Sequence, residues 1–542
     1  MTQASRRALF KNAANLLIGA GLGTVTCAQA EQPEQKSWDE TYDIVVIGSG
    51  FAGLAAAIEA RQAGASVIVL EKMRTPGGNS IINGGILAAP GCPQQKAHGI
   101  QDSPELLAQD MLKAGLYLND PAKVKFIADR ALENYNWCVN ELGVEFHPTA
   151  IGQEGGHSVP RYVRTMNGSG SAYVQKELEK LKSLGVEVRL RSYVEHIVRD
   201  PKTQVVEGVQ IRQGYRFPKA ESGKPVSIRA KKAVILCYGG FGADVAYRTM
   251  YDPRLKAEFQ TTNQPGATGE LWRETAAIGC VQIQQDWVQC GPWCNPKEKG
   301  MGLSVVFNQS GGAEFGVWVD STGRRFVNEL ANRKVRADAI FALHDKGLKA
   351  YAICDQNGVD HVTDLQAKCV PYLMGIGAVE KFDTIDALAA AYAMDPDTLK
   401  ATIAQVNDAV ASGKDPLFGR YMNKEFKSMN RGPWYICECT PKVHHTMGGL
   451  LTTPEGRVLD IRTSKPIEGL WAAGEATGGV HGAVRLGSCA TLDCLVMGRM
   501  SARQPLPEIP HPLPFNPFPC GASYPKMLRF ASAHVQAPDD QP

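Results

Sequence analysis

The sequence predicts an α/β protein whose parallel sheet is interrupted by a long insertion, and three observations carry that prediction. An apolar run at 43–47 passes through Gly48-Ser49-Gly50-Phe51-Ala52-Gly53 into an alanine-rich helix ending at Gly64, and a second apolar run at 66–70 closes on Glu71. A second strand-to-glycine turn, Val234-Ile235-Leu236-Cys237-Tyr238-Gly239-Gly240-Phe241-Gly242, has the form of a chain returning to the same sheet. After residues 283–442, which hold no phosphate-type turn, the runs at 443–451 and 469–475 resume the first pattern. The fold class is therefore a Rossmann-like dinucleotide-binding domain, parallel sheet plus β-meander, with an inserted α+β domain.

The first turn carries the chemistry of dinucleotide binding. Gly48 makes the tight turn, Gly50 lets a pyrophosphate approach the backbone, and Gly53 lets helix and strand pack closely. The helix that follows offers free N–H groups and a partial positive charge to phosphates. Glu71 stands where a carboxylate accepts ribose hydroxyls. With Ala52 and Lys72, these residues form the expected cofactor-binding set of the motif. Downstream, Gly77-Gly78-Asn79-Ser80 and Asn83-Gly84-Gly85 supply glycine pairs that let backbone lie flat against a planar group.

The remaining elements follow in order. Residues 103–142 read as two helices opened by Ser103-Pro104-Glu105. A polar glycine-rich loop at 152–170 precedes a helix at 171–184. The runs at 186–197, 205–213 and 226–236 alternate as the strands of a meander. Residues 262–270 open a helix that ends at Gly279. The expected domains are a first dinucleotide-binding part at 31–282, the insertion at 283–442, a second part at 443–503 with a helix from Ser488, and a proline-rich extended tail at 504–542.

A chain of 542 residues exceeds a single core, and its composition is that of a globular protein. The net charge of +3 equals the surplus of the first 30 residues, which contain Arg6, Arg7 and Lys11 and no acid. The remainder is balanced, which argues against nucleic acid as a partner. Paired arginines, a short apolar run at 16–25 and Ala28-Gln29-Ala30 predict a twin-arginine signal peptide at 1–30 cleaved after Ala30, and hence a periplasmic protein. That run is too short to span a bilayer, so no integral membrane segment is expected in the mature chain. The fourteen cysteines form no disulfide framework by spacing. No Cys-x-x-Cys-His binds a haem, and no cluster or metal site is expected.

Five motifs together resemble the flavoprotein family of fumarate reductases and succinate dehydrogenases, closest to its soluble periplasmic branch of flavocytochrome c fumarate reductase and urocanate reductase. They are Gly48–Gly53, Gly77-Gly78-Asn79-Ser80, Arg325-Phe326-Val327-Asn328-Glu329 with Arg333 after it, His444-His445-Thr446-Met447-Gly448-Gly449, and the run from Ala473 to Gly487. The resemblance covers residues 41–502. It implies that the dinucleotide is FAD and that the insertion caps the flavin. Glu475 would bind the flavin's hydroxyls, and Ser488, Ala490 and Thr491 would begin a helix aimed at its pyrimidine ring. His445 would stand on the flavin side. Where membrane-bound members link flavin to a histidine, this chain has Asn79, which implies non-covalent FAD.

The resemblance also implies a reaction, reduction of an activated C=C bond with hydride from the flavin N5. His444 and Arg485 would grip and polarise the substrate carboxylate, and Arg333 would donate the proton. An arginine is an unusual acid, since its ordinary pKa exceeds 12, but a desolvated site beside other cations disfavours the charged form. Fumarate reductases hold a second carboxylate through a His-Pro and a Thr-Glu pair. Here the matching stretches read Gln285-Asp286-Trp287-Val288-Gln289 and Phe307-Asn308-Gln309-Ser310. Loss of that grip, with Trp287 and Trp293 bringing aromatic surface and Trp287 as the substrate-binding candidate, points to a larger or aromatic α,β-unsaturated carboxylate of acrylate type rather than fumarate. Glu314, Glu329 and Arg336 are the candidates for a proton relay. Without a haem of its own, the chain needs a separate multihaem c-type cytochrome as electron donor in anaerobic respiration. Two other readings stay open: a dehydrogenase introducing a double bond into an acid or ketosteroid, and a non-catalytic flavin electron-transfer subunit.

Overall fold

Aliphatic residues at successive positions of a strand demand cover on both faces, and the chain provides it. In the computed structural model, which describes residues 37–506, Glu40–Ile47 lies parallel to Val67–Leu70 on one side and to Lys224–Leu236 on the other. Glu187–Arg189 extends this sheet beyond Val67–Leu70, and Pro466–Ala472 pairs in parallel with the end of Lys224–Leu236. Side-chain alternation then sorts the core in two. Ile44, Val46, Val67 and Val69 pack with the helices Phe51–Gln62 and Cys489–Arg503, while Val45, Ile47, Ile68 and Leu70 pack with the meander.

The meander is antiparallel: Ser192–Arg199, Val206–Gln213 and Lys224–Leu236. The single strand read at 186–197 is two strands, broken where Arg191 takes a positive φ of 54°. The break lets the chain leave a parallel partner and join an antiparallel one. The two helices read at 103–142 are three, Pro104–Ala114, Pro121–Ala128 and Ala131–Asn140. Leu116 and Tyr117 turn left-handed, and Asp120 caps the next helix with Pro121 at its first position, so the first helix cannot continue.

Residues after 283 build a second, five-stranded antiparallel sheet. Its order is Val288–Cys294, Trp434–Thr446, Ala350–Cys354 and Val317–Asp320, with Val379–Phe382 also on Trp434–Thr446. Trp434–Thr446 runs through position 442, where the sequence suggested a boundary, and delivers the two histidines at its end. The expected signal peptide at 1–30 and all but the first three residues of the tail expected at 504–542 lie outside the described residues. Among those described, no helix is long and apolar enough to cross a membrane, and twelve cysteines are free, eleven of them buried.

Two buried aspartates predict how the fold responds to acid. Burial alone would raise the carboxyls of Asp415 and Asp460, but Arg325 and Arg199 outweigh it and hold each at about 2. With ordinary values near 3.8, both groups stabilise the fold fully above about pH 4 and lose that contribution as pH falls towards 2. Each contributes on the order of 2 kcal/mol. Thermal melting followed between pH 5 and pH 2 should therefore show a falling Tm, with a shallower fall in Asp415→Asn. A variant profile parallel to the parent would contradict the linkage.

Candidate active site

The glycines of the first turn are dictated by contact. Gly48 has φ +101°, and a Cβ there would stand 2.3 Å from the Cys237 carbonyl oxygen; at Gly53 it would stand 1.9 Å from the Gly48 carbonyl oxygen. Strand, turn, helix and returning strand therefore meet backbone to backbone. Glu71 locks the arrangement by accepting from the Ser49 hydroxyl at 2.6 Å, the Ser49 N–H at 3.2 Å and the Met73 N–H at 2.8 Å.

A groove with about 1000 Å³ of empty space, its open mouth included, runs along this turn. Gly48, Gly50, Ala52, Glu71, Lys72, Gly78, Asn79, Ser80 and Glu475 line it. The remaining sequence candidates stand behind it. Gly53 serves packing, and Gly77 donates its N–H to Ser49 Oγ at 3.0 Å. Gly84 and Gly85 belong to a segment pressed against residues 165–169. Ser488, Ala490 and Thr491 open the helix Cys489–Arg503.

The groove fits a flavin dinucleotide. Neither Phe51–Gln62 nor Cys489–Arg503 is capped by its own N-cap side chain, and although the Phe51 N–H donates to the Ser80 hydroxyl at 2.9 Å, other first-turn N–H groups are left for an anionic ligand. Asn79 is tied down by a donation to Asn263 at 2.6 Å and by accepting the Gln264 N–H at 2.7 Å. Glu475 accepts from the Thr446 N–H at 2.9 Å and faces His445 Nδ1 at 3.4 Å. Burial raises the Glu475 carboxyl and holds the His445 imidazole well below its usual value. His445 Nε2 is buried with no partner in the structure.

Beside the groove, three elements converge. Arg333 opens the helix Arg333–His344, His444 lies near the end of Trp434–Thr446, and Arg485 lies in the glycine-rich run before Cys489–Arg503. Gln289 links two of them, accepting from Arg333 Nη1 at 3.4 Å and donating to the Arg485 carbonyl at 3.2 Å. His444 Nδ1 is 2.8 Å from the Thr262 hydroxyl. Burial, then Arg485 and Arg333, hold the His444 imidazole well below its usual value, so it is neutral at pH 7. Burial and Arg333 likewise lower Arg485 to about 10, and Arg485 Nε is buried without a partner. The run that carries Arg485 is pinned from outside: Asn119 donates to the Val480 carbonyl at 2.8 Å and Lys123 to that of Gly478 at 2.8 Å.

Of three further residues in contact with this cluster, Glu154 and Thr262 escaped the sequence reading as site residues, while Trp293 entered it only as aromatic surface beside Trp287. Glu154 Oε2 accepts from Arg333 Nη2 at 2.7 Å, Trp293 lies 5.0 Å from the Arg333 guanidinium, and Thr262 holds His444. The signal available for Glu154 was an acid inside a glycine-flanked loop. Trp287 is half-buried and lines a separate cavity with Lys334, Met447 and Ala483. Of the relay candidates, Glu329 is fully buried in a static network, taking two bonds from Arg325 at 2.9 and 2.7 Å with Arg420 at 3.4 Å. Arg336 donates to Gln309 Oε1 at 2.8 Å, and Gln309 donates to Glu314 at 3.4 Å. Burial raises Glu314, whereas burial and Arg333 lower Arg336 to about 10. No group of His, Cys, Asp and Glu among the described residues could hold a metal.

Comparison with known proteins gives this site its family. The FAD binding domain family matches residues 43–491. The chain belongs to that family. It is 40% identical over 495 residues to the acrylate reductase flavoprotein subunit of Shewanella woodyi, covering 90% of this chain and 96% of the relative. It is 35% identical over 470 residues to the cytochrome-type fumarate reductase of Shewanella frigidimarina, covering 86% and 77%. The solved open conformation of a flavocytochrome c3 fumarate reductase superposes with a TM-score of 0.71 at 32% identity, covering 86% of this chain and 78% of that one. The protein is thus a fumarate reductase-like flavoprotein, an FAD-dependent oxidoreductase of the class acting on CH–CH bonds.

The contact at Gly53 generates a test. Gly53→Ala forces helix and turn apart, and the purified variant should retain less than about a tenth of its FAD, a loss of over ~1.4 kcal/mol in binding. The flavin-to-protein absorbance ratio measures this, and full flavin content would refute the packing argument.

Proposed function

We propose that this protein is a periplasmic reductase of an α,β-unsaturated carboxylate, acting as a terminal reductase in anaerobic respiration. The observation that carries the reading is the convergence of Arg333, His444 and Arg485 beside a dinucleotide groove. Identity to an acrylate reductase flavoprotein subunit over nearly the whole chain supports an acrylate-type substrate. The electron donor is a separate multihaem c-type cytochrome, a role suggested by the cytochrome-type fumarate reductase among the relatives.

FAD bound in the groove supplies the hydride. It is held without a covalent bond, because the amide of Asn79 offers no nucleophile and is engaged with residues 263 and 264. The chain's own residues do the rest. Arg485 and neutral His444 bind the substrate carboxylate, His444 through the ring nitrogen that Thr262 does not hold. Charge that accumulates on the carboxylate as the double bond is reduced meets the Arg485 guanidinium, which has a buried Nε to satisfy. Arg333, oriented by Gln289, Glu154 and the Trp293 face, delivers a proton from Nη to the carbon next to the carboxylate.

Arg333→Ala should lower viologen-linked reduction of an acrylate-type acid by at least ~100-fold while FAD stays bound; retention of more than a few per cent of activity would exclude it as the acid. Arg485→Met should raise KM and lower kcat together, because it serves both ground and transition state. Dye-linked oxidation of the saturated acid faster than reduction of the unsaturated one would turn the assignment towards a dehydrogenase.

A further inference from the structure

A carboxylate beside two arginines in a carboxylate-binding site demands an explanation, because it competes with the substrate for the same cations. Glu154 is placed there by construction. Its loop is anchored by Arg161, whose guanidinium is completely buried and pairs with Asp102 at 2.9 Å and Asp110 at 2.7 Å. Ser158 donates its N–H to Asp110 at 2.8 Å, and His157 Nε2 lies 2.9 Å from the Gly487 carbonyl. The Glu154 carboxylate itself lies on Gly487, where a Cβ would come within 2.3 Å of Oε2. Burial would raise this carboxyl, but Arg333, Arg485 and His157 outweigh it and keep it ionised.

Arg333 spends Nη2 on Glu154, Nη1 on Gln289 and its face on Trp293, while Arg485 retains an unpartnered nitrogen. Arg336, the next cation, lies against the same Trp293 ring, donates to Gln309 and the Glu329 carbonyl, and has a buried Nε without a partner of its own. One substrate carboxylate finds a partner at Arg485 and His444. A second one would meet an arginine already neutralised, with the Glu154 oxygens beside it.

Building on the reductase reading, we propose that Glu154 is a specificity-determining residue, a fixed negative charge that admits unsaturated monocarboxylates and turns away dicarboxylates. The shape of the loop and the charge of the side chain make separable contributions, and the charge sets the preference.

The test uses the full chain with its FAD. Propionate and succinate, the saturated mono- and dicarboxylate, are titrated against the flavin absorbance spectrum, and viologen-linked rates are measured with acrylate and fumarate. The parent should favour the monocarboxylate by at least about tenfold in both measurements. Glu154→Gln should shrink that ratio at least about tenfold, and Glu154→Asp, which keeps the charge, should preserve it. Equal preference for the two acids in the parent overturns the proposal even if no variant folds. So does a ratio unchanged in Glu154→Gln, or one relaxed equally in Glu154→Asp. A protein that binds propionate over succinate yet reduces neither acrylate nor fumarate would remove the proposed reaction and leave the charge filter standing.

Discussion

Holding two guanidinium groups together away from water is the constraint around which this site is built. Arg333 and Arg485 depress one another's neighbourhood: His444, His445 and Arg336 are all pushed towards their neutral forms by burial with these cations close by. Such an arrangement is stable only if each cation is tied to something. Arg333 has a carboxylate, an amide and an indole, and Arg485 has a backbone pinned by Gln289. The ion network of Arg325, Glu329, Asp415 and Arg420 then fixes the segment leading into Arg333 with no water to screen it. Among the nitrogens left unsatisfied is Arg485 Nε, beside His444, where an anionic substrate contributes binding.

How much of this was legible in the sequence follows the range of the interactions. The turn at 48–53, the strands on either side and Glu71 carry signals within a few tens of residues, as Gly53 against Gly48 and Glu71 against Ser49 show, and they stand where the sequence put them even though Gly48 also abuts the distant Cys237. Pro121 was equally local: its cap divides the helices at 103–142, and the sequence contained the Asp120-Pro121 signal for it. The break at Arg191 was not readable, because it depends on which strands compete for residues 187–189 and 192–199.

The site divides the same way. Arg333, His444 and Arg485 sit inside distinctive motifs, so each was visible alone. Glu154 reaches Arg333 across 179 residues, and Thr262 reaches His444 across 182. No periodicity reports a contact of that separation. The tryptophans show the same limit from the other side. Trp287 and Trp293 are six positions apart in one apolar stretch, yet Trp293 stacks on both Arg333 and Arg336 while Trp287 lies near Lys334. Which cation each ring faces depends on the strand register, here shifted twice along Val288–Cys294.

The thiols carry a consequence of their own. All twelve described cysteines are unpaired, and burial pushes them up, to about 12 for Cys290, Cys294, Cys437 and Cys489. A sulfur that stays protonated is a poor nucleophile in disulfide exchange. Once folded, the described core is therefore shielded from disulfide exchange by burial rather than by covalent pairing.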